Sequence, residues 1–354
     1  MRIGILTFHR AHNYGAVLQC YALQEFLKSQ GHDVEVVDYS LEFKTYKPTY
    51  WLKRTNIFAI VSEFLTFRYY RLNVRYKKFN NFIVSYLNLS DKVSTTDDIE
   101  RQKYDMIIIG SDQVWNPKIT KGFNPFYWGY FKCNSIISYA ASMEVSNIDK
   151  YADEISKGLQ NFSEISVREK SLITLLEPLT DKTIYQTIDP TLLVDSAVFD
   201  TLAGERIVKD DYLLVYQVIE NTNTMDVAHK LAKELSVKII ELKSKPVYLK
   251  NSNTIDTASP QQFLSLIKHA KCVVTTSFHG VAFSILFKKD FYAVKLDNKG
   301  TRIEDLIDCL SLQSRLITAG SVGNFKKLDY DGVNSSYNAM KQLSLDFLKN
   351  CKVI

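Results

Sequence analysis

The chain has 354 residues, of which 46% are hydrophobic, 23% are charged and 12% are aromatic, and its formal net charge is +5. This length is more than one doubly wound α/β domain usually needs, and it suits two such domains. The mild positive charge is compatible with phosphate-bearing substrates and gives no indication of a nucleic-acid partner. The 5 cysteines are widely spaced and form no CxxC pair, which argues against a disulfide framework and against a zinc site.

Apolar stretches in the sequence do not have the length of membrane-spanning helices. The apolar run at the N-terminus is too short for a signal peptide, and it predicts a first β-strand. The run Ile57–Phe67 is interrupted by Glu63 and is shorter than the roughly 20 residues that a spanning helix needs. We therefore expect a cytoplasmic protein that does not cross a membrane.

Strands and helices alternate along the first half of the chain. A strand at Arg2–Leu6 precedes a helix at Ala16–Gln30, where apolar residues recur at helical spacing. The next strand is predicted at Asp33–Val37. Met106–Ile109 is wholly apolar, as expected of a strand buried on both faces. Further strands are predicted at Ile136–Tyr139, Ile165–Val167 and Thr183–Ile188. Strands separated by helices indicate a parallel, doubly wound sheet.

A second alternating series begins near Tyr212. It predicts strands at Tyr212–Val218, Val237–Leu242, Val273–Thr275 and Phe291–Val294, and helices at Met225–Leu235, from Ser259-Pro260 to about His269, and at Val281–Phe287. We expect an N-terminal Rossmann-like domain over residues 1–194, an irregular linker over 195–211 and a second Rossmann-like domain over 212–332. The remaining residues, 333–354, contain an amphipathic helix at Asn338–Lys349 that should pack back on the first domain.

Ligands in open α/β sheets bind beyond the carboxyl ends of the strands, so polar residues at those ends are candidates for chemistry. The first polar strand end contains Asn13 and Gly15, directly before the first helix. Backbone N–H groups there could hold an anion. An ordinary turn in which Asn13 caps the helix explains the same residues, and the sequence leaves both interpretations open.

The second polar strand end follows the apolar strand at 106–109 and combines Gly110, Asp112, Gln113 and Trp115. Glycine permits close approach of a backbone, and polar groups beside an aromatic ring suit a hydroxylated ligand such as a sugar. Core packing is the alternative role for Trp115. At the third strand end, Arg168 could bind a carboxylate or phosphate through two N–H groups. Its alternative is a salt bridge with the neighbouring glutamate.

The fourth polar strand end, Thr275–Gly280, places His279 between a strand and a helix. The positive end of a helix attracts anions, and a histidine in this position is a candidate for handling a proton, with a structural role as the alternative. The loop after the next strand carries Lys295, Lys299 and Arg302. Because consecutive strands are usually neighbours, these cations should lie beside His279.

Several segments occur in an order that resembles the polysaccharide pyruvyltransferase family. They are HNYGAVLQCYAL, IIIGSDQVWNP, SYAAS, SVRE, IDPTLLV, TTSFHGVAFSILF and the helix start at Arg302-Ile303, spanning Met1 to about Leu312. The resemblance implies two Rossmann-like, doubly wound domains in a glycosyltransferase-B-type arrangement. It also implies phosphoenolpyruvate as co-substrate and donor, a saccharide acceptor on the N-terminal side, and neither a metal nor a further cofactor.

The resemblance carries over residue by residue. It implies catalytic roles for His279, in the Ser-x-His-Gly motif, and for Arg168, after the Ser-Val pair. A basic residue in the loop after the next strand corresponds most naturally to Lys299, with Lys295 as the second choice. Beyond this carry-over, we expect substrate-binding roles for further polar, glycine and aromatic residues of these segments: Asn13, Gly15, Gly110, Asp112, Gln113, Trp115, Ser142, Ser277 and Arg302. Many relatives have Gly-Asn-x-Gly-Asp near the N-terminus, and this chain departs from that pattern.

The implied reaction forms a pyruvyl ketal in the synthesis of bacterial surface polysaccharide, such as capsule or exopolysaccharide. Cations would bind the phosphate and carboxylate, His279 would handle a proton, and Asp112 would bind or deprotonate an acceptor hydroxyl. Two alternatives remain open at this point. One is a glycosyltransferase of the same fold that uses a nucleotide sugar, and the other is a saccharide-binding relative without activity.

A basic and aromatic segment, residues 43–82, is not explained by the α/β pattern. Helical spacing from about Asn56 to Phe82 would set Arg68, Arg71, Arg75 and Lys78 along one side. Cations interleaved with rings suit the inner surface of a membrane or a lipid-linked acceptor. The alternative is a helix whose rings pack on the first domain and whose charges are solvated.

Overall fold

The computed structural model describes residues 1–39, 41, 46–52, 56–145, 147–296, 301–318 and 323–354. The strands are β1 (Arg2–Leu6), β2 (Asp33–Tyr39), β3 (Leu89–Val93), β4 (Met106–Ile109), β5 (Ser135–Ala141), β6 (Glu164–Val167), β7 (Ile184–Gln186), β8 (Tyr212–Gln217), β9 (Lys238–Lys243), β10 (Thr254–Ile255), β11 (Cys272–Thr275), β12 (Asp290–Val294) and β13 (Leu316–Ile317). The helices of the first half are α1 (Tyr14–Ser29), α2 (Pro48–Leu52), α3 (Ile57–Leu65), α4 (Arg68–Tyr86), α5 (Thr96–Arg101), α6 (Pro117–Thr120), α7 (Ala152–Leu159) and α8 (Lys170–Leu176). Those of the second half are α9 (Pro190–Leu193), α10 (Ser196–Ala203), α11 (Thr222–Leu235), α12 (Pro260–Lys268), α13 (Phe278–Leu286), α14 (Thr301–Cys309) and α15 (Tyr330–Asn350).

Both sheets are parallel and have the same topology. The first has the strand order β3-β2-β1-β4-β5-β6-β7, and the second has the order β10-β9-β8-β11-β12-β13. In each sheet the chain leaves the first strand in one direction and later returns to its other side. The strand order therefore reverses between β1 and β4 and between β8 and β11. Such switch points open a crevice at the carboxyl ends of the strands.

Local signals explain where the main helices begin. Asn13 caps α1 by accepting hydrogen bonds from the N–H groups of Gly15 and Ala16. Ser259 opens α12 with a capping box in which Gln262 reciprocates, and Pro260 is the first helical residue. Strand β4 is buried at every position, as the wholly apolar sequence of this strand predicted.

One hydrophobic cluster joins the two sheets through the helices between them. Tyr14, in the first turn of α1, stacks on Phe263 of α12 with ring centroids 4.7 Å apart. Its hydroxyl donates to the carbonyl of Ala258 at 3.1 Å. The first turn of α1 is therefore fixed against the second domain, which sets the relative position of the two switch points.

The segment 195–211 differs from the irregular linker that we expected. It contains α10, whose residues Phe199, Leu202 and Ala203 are buried. The apolar side of α10 packs against α12, so this part of the segment 195–211 belongs to the hydrophobic core. The last helix is also longer than expected, since α15 begins at Tyr330. The Ser344 hydroxyl accepts a hydrogen bond from the N–H of Ile188, so α15 lies on the N-terminal domain.

The helix that we expected over 56–82 is divided in two, α3 and α4. Phe67 separates them with a φ of 53°, in the left-handed region. A chain turn at this point lets α3 pack against α4 instead of continuing its axis. Residues 43–45 and 53–55 of the basic and aromatic segment lie outside the described residues.

The predicted row of basic side chains on α4 does lie on one side, but that side packs against the rest of the protein, where three of the four contact the second domain and Arg75 contacts α1. Arg68 is 3% exposed and pairs with Glu63, and its Nε donates to the carbonyl of Pro246 at 2.9 Å. Arg71 pairs with Asp256, which is buried. Lys78 donates to Gln262 at 2.8 Å, and Arg75 donates to the hydroxyl of Tyr14. The expectation that these cations face a membrane is therefore wrong, because contacts within the protein bury Arg68 and Arg75 and partly bury Arg71 and Lys78. Within the described residues, no helix is both long and apolar enough to cross a membrane.

Candidate active site

A cavity of about 180 Å³ lies where the two switch points face each other. Its N-terminal wall comes from the loops after β1 and β4, and its C-terminal wall from the loops after β8 and β11. The residues of these walls that matter to the chemistry are Asn13, Asp112, Gln113, Ser277 and His279. The sequence placed these residues at strand ends, and the fold brings all five to one cavity.

Two helix N-termini meet at this cavity. Asn13 caps α1, and Ser277 caps α13 by accepting from the N–H of Gly280 at 3.4 Å. Both capping residues also line the cavity. The cap and ligand interpretations of Asn13 are therefore compatible. The positive ends of both helices favour a negative charge between them.

His279 lies in the first turn of α13 and contacts the first turn of α1. A Cβ atom added to Gly15 would lie 1.9 Å from His279 Nδ1. Only glycine leaves room for the imidazole at this position. Gly15, which the sequence suggested as a substrate-binding residue, thus packs directly against the ring of His279.

The buried carboxylate of Asp189 lies behind His279. Its Oδ2 is 3.5 Å from His279 Nε2 and accepts a hydrogen bond from Arg168 Nη1 at 2.6 Å. Its Oδ1 accepts from the N–H of Thr191 at 3.0 Å and from the hydroxyl of the same residue at 2.8 Å. Burial raises the pKa of Asp189, but its interactions with His279 and Arg168 lower it more, so the net pKa is below the usual carboxyl value. Asp189 is therefore held as a carboxylate that orients His279.

Arg168 is a buried residue of this network and does not line the main cavity. Its guanidinium stacks on the ring of Phe278, which does line it, at 4.4 Å from the centroid. Besides Asp189, it lies 3.8 Å from Glu169 and 4.0 Å from Asp112. The expected salt bridge with Glu169 is thus the longer contact, and Asp189 is the principal partner.

Glu169 belongs to the same buried cluster. Burial raises its pKa, and the charges of Arg168 and Arg302 offset only part of that rise. The hydroxyl of Ser142 donates to Glu169. Ser142 is fully buried, so its role here is to hold Glu169, and the expectation that it contacts substrate is not met.

Arg302 and Lys295 are the described cations that line the cavity. Arg302 Nη2 donates to Glu144 at 3.0 Å. The same nitrogen lies 2.9 Å from the side-chain amide of Gln113, and the amide accepts a hydrogen bond from it when the amide oxygen faces the guanidinium. Lys295 donates to Glu304 at 3.0 Å. Both cations are therefore paired, and a bound anion would exchange places with a carboxylate. Lys299, the predicted third basic residue, lies outside the described residues.

Buried N–H groups near the cavity lack hydrogen-bond partners within the described part of the chain. They are Nη2 of Arg168 and Nε of Arg302. Burying such donors unpaired costs about 1–3 kcal/mol each, and more when they are charged. An anionic ligand at this place would satisfy them.

Two expected ligand contacts are wrong. Trp115 is 2% exposed, stacks on Trp128 at 4.5 Å and donates from Nε1 to the carbonyl of Tyr127 at 2.6 Å. It belongs to the core, because its indole N–H is satisfied inside the domain. Gly110 has a φ of 121°, and a Cβ there would lie 2.3 Å from the carbonyl oxygen of Tyr139. Glycine is needed at this position because β5 approaches closely, and not because a ligand does.

Sequence reasoning gave no role to Asp189 or Glu144. Asp189 lies in the segment IDPTLLV. Its position could have marked it as a candidate, because it follows a predicted strand and precedes Pro190, which begins a helix. Glu144 follows β5 and carried no comparable signal. Among the described residues, no group of three or more His, Cys, Asp or Glu side chains could hold a metal ion.

Most of the chain is similar in fold to several solved structures. UDP-GlcNAc 2-epimerase of Methanocaldococcus jannaschii, solved with UDP-GlcNAc and UDP, matches with a TM-score of 0.52 and 12% identity over 96% of this chain and 93% of that chain. MnaA of S. aureus, solved with UDP, has a TM-score of 0.50 and 13% identity over 97% and 87%. The glycosyltransferase SnogD of Streptomyces nogalater covers 98% and 95% at 11% identity, with a TM-score of 0.46.

The likeness to the two structures with TM-scores of 0.52 and 0.50, together with the two parallel sheets, shows two Rossmann-like domains in a glycosyltransferase-B-type fold, as the sequence predicted. A search of curated proteins found no match. The model of the polysaccharide pyruvyl transferase family matches residues 13–298, which is most of the chain and includes Asn13, Asp112 and His279 of the cavity. The chain belongs to the polysaccharide pyruvyl transferase family.

Proposed function

We propose that the protein transfers the pyruvyl group of phosphoenolpyruvate to two hydroxyls of a saccharide and forms a pyruvyl ketal. The observation that carries this proposal is the meeting of two helix N-termini at a cavity lined by His279 and Arg302, with buried, unpartnered N–H groups on Arg302 and, behind the cavity, on Arg168. Phosphoenolpyruvate has a phosphate and a carboxylate close together, and such a ligand matches a site that presents cations and helix N-termini.

The anionic groups of the donor would bind at the C-terminal wall. Arg302 and Lys295 line it, and each would release a carboxylate partner, Glu144 or Glu304, when the donor enters. The N-termini of α1 and α13 add two positive dipole ends. Lys299, for which the resemblance implies a catalytic role, remains a prediction.

His279 is the residue that we assign to proton transfer. In the reaction, C3 of the enol gains a proton and becomes a methyl group, which makes C2 electrophilic. His279 donates the proton that C3 gains. One sugar hydroxyl forms a bond to C2 and returns its proton to His279, the C2–O bond to phosphate breaks, and the phosphate leaves with the electron pair. The second hydroxyl then closes the ketal, and its proton leaves with the phosphate. Asp189 would keep the imidazole in place and stabilise its charged form during these steps.

The acceptor would enter from the N-terminal domain, where Asp112 and Gln113 line the cavity. The side chain of Asp112 is 14% exposed, so it remains accessible to a sugar hydroxyl. We place the reaction in the cytoplasm and in the synthesis of a bacterial surface polysaccharide such as a capsule, with an acceptor that is free, nucleotide-linked or lipid-linked.

The test is direct. The protein is incubated with phosphoenolpyruvate and a panel of nitrophenyl and lipid-linked sugars, and mass spectrometry follows the gain of a pyruvyl ketal while a second assay measures released phosphate. We expect both products in equal amounts with at least one acceptor. Thermal stabilisation by phosphoenolpyruvate should exceed that by uridine diphosphate. Stabilisation by uridine diphosphate alone, with transfer from a nucleotide sugar, would replace the proposal with glycosyl transfer, and saccharide binding without any turnover would replace it with a binding role.

A further inference from the structure

Helix α3 presents an apolar face to solvent. Phe58 is 81% exposed, Leu65 is 75% exposed and Phe67, just beyond the helix, is 72% exposed. We call this surface the outer face of α3, and its members are Ile57, Phe58, Val61, Phe64, Leu65, Phe67 and Tyr70. A helix on a water-soluble domain normally turns such residues inward, so a continuous exposed row of them indicates an interaction surface.

The opposite, polar side of α3 is fixed against the second domain. Glu63, the only acid of this helix, is 2% exposed and pairs with Arg68. It also accepts a hydrogen bond from the hydroxyl of Tyr248 at 2.9 Å. Arg71 donates to the carbonyls of Thr66 and Val247, at 3.1 and 2.6 Å. The buried ion pair thus holds the outer face of α3 outward, and rotation of the helix to hide it would break these contacts.

Exposed lysines border the outer face, and the single acid in the described segments that build it, Glu63, is buried on the opposite side of α3. Lys77 is exposed and lies two turns after Tyr70 on the same side of α4. On the other border, Lys245 and Lys250 are exposed in the loop that also carries Leu249, which is 89% exposed. Over the described residues 46–52 and 56–86, Glu63 is the sole acid, and residues 243–253 contain none.

We propose that the outer face of α3 docks on an anionic lipid bilayer, with the phenylalanine and leucine side chains inserted at the acyl boundary and the lysines at the headgroups. A second copy of this chain fits less well. In a symmetric dimer the same surface would meet itself and would bring the lysine borders of both copies together without acids between them. The inference is independent of the transfer chemistry, since it concerns a surface made by α3, the start of α4 and the loop at 243–253.

The experiment measures co-sedimentation of the full chain with vesicles of phosphatidylcholine alone or of phosphatidylcholine with phosphatidylglycerol, in the absence of substrates. Binding to the anionic vesicles should be stronger and should weaken as salt rises. Phe58→Glu combined with Leu65→Glu should lower the affinity at least tenfold. Lys245→Gln should lower it about fivefold, since a basic residue near an anionic surface contributes about a fivefold change in affinity. The matched control is Leu343→Glu on α15, because Leu343 is 64% exposed and lies on a different helix.

Equal sedimentation of wild type and the Phe58→Glu/Leu65→Glu variant would overturn the proposal, as would failure of the wild type to bind anionic vesicles. A dimer by light scattering that the same variant dissociates, without vesicle binding, would assign the surface to a second copy and would overturn the lipid assignment. Since the substituted residues are solvent-exposed, the melting temperature of the variant should stay close to that of the wild type. This measurement checks that the fold is intact. Ketal formation with a soluble acceptor is measured separately, so a failure of either proposal is distinguishable from a failure of the other.

Discussion

The imidazole of His279 lies against the backbone of Gly15, so that the first turn of α13 and the first turn of α1 meet at one point between the two domains. A Cβ at residue 15 would come within 1.9 Å of Nδ1 and 2.2 Å of Cγ of the ring. This contact explains why Gly15 and His279, which are 264 positions apart, belong to the same site. The sequence around either residue does not show that the two are in contact.

Gly15→Ala should displace the His279 ring. Because its Cβ and the ring cannot both occupy this position, the histidine has to move, and a misplacement of about 1 Å typically costs on the order of 100-fold in rate. We expect a loss of that order in kcat/KM for phosphate release, with a cooperative melting transition retained. Gly332→Ala on α15 is the matched control, since a Cβ there meets nothing within 4 Å. Full activity of Gly15→Ala would show that the position of the ring is not critical.

His279→Gln should lower turnover by about 10² to 10⁴, the usual effect of losing a positioned proton donor or acceptor. Far-UV circular dichroism should be unchanged. His229→Gln, on the exposed side of α11, is the control and should retain wild-type turnover. Near wild-type turnover of His279→Gln would remove His279 from the reaction, and loss of the folded state would assign it a structural role.

Asp189→Asn should destabilise the protein, since Arg168 would keep its buried charge and lose its principal partner. Breaking a buried ion pair costs about 3–5 kcal/mol in the free energy of unfolding. We expect Asp189→Asn and Arg168→Met each to show such a loss in urea denaturation, and the double variant to lose less than the sum of the two. Additive losses would mean that the two side chains do not depend on each other.

The pH dependence of the same pair has a defined sign. Because the folded-state pKa of Asp189 is lowered, its stabilising contribution is present above the ordinary carboxyl pKa and is lost as the pH falls through the lower folded value. The difference in unfolding free energy between wild type and Asp189→Asn should therefore shrink in acid below about pH 4. A difference that grows on acidification would contradict this assignment.

His12 should make the fold sensitive to mild acid. Burial and the neighbouring charge of Arg75 lower its pKa from 6.5 to about 4. As the pH falls through this range, the unfolded chain takes up a proton at His12 that the folded chain does not, so stability falls, by about 3 kcal/mol in total. His12→Gln should remove that part of the slope, measured as unfolding free energy between pH 7 and pH 4.5. Parallel curves for the two proteins would assign the acid sensitivity to other groups.

The sequence by itself determined the alternation of strands and helices, the two sheets and the family. These features follow from local periodicity and from short motifs, and β4 and α12 have nearly the bounds that the apolar run and the Ser-Pro cap predicted. It also placed Asp112 and Gln113 in the first domain, and Ser277 and His279 in the second, at the carboxyl ends of strands, where ligands of open α/β sheets bind.

The tertiary structure alone decided what each of these side chains contacts. Asp189 became the partner of His279 and Arg168, Trp115 became part of the core, and the basic row of α4 packed against the rest of the protein, all through residues far apart in the sequence. A periodic pattern fixes which residues share a side of a helix, but not what that side meets. The opposing surface comes from another part of the chain, and only the packing of the two domains settles whether a basic or an apolar row is buried or left in water.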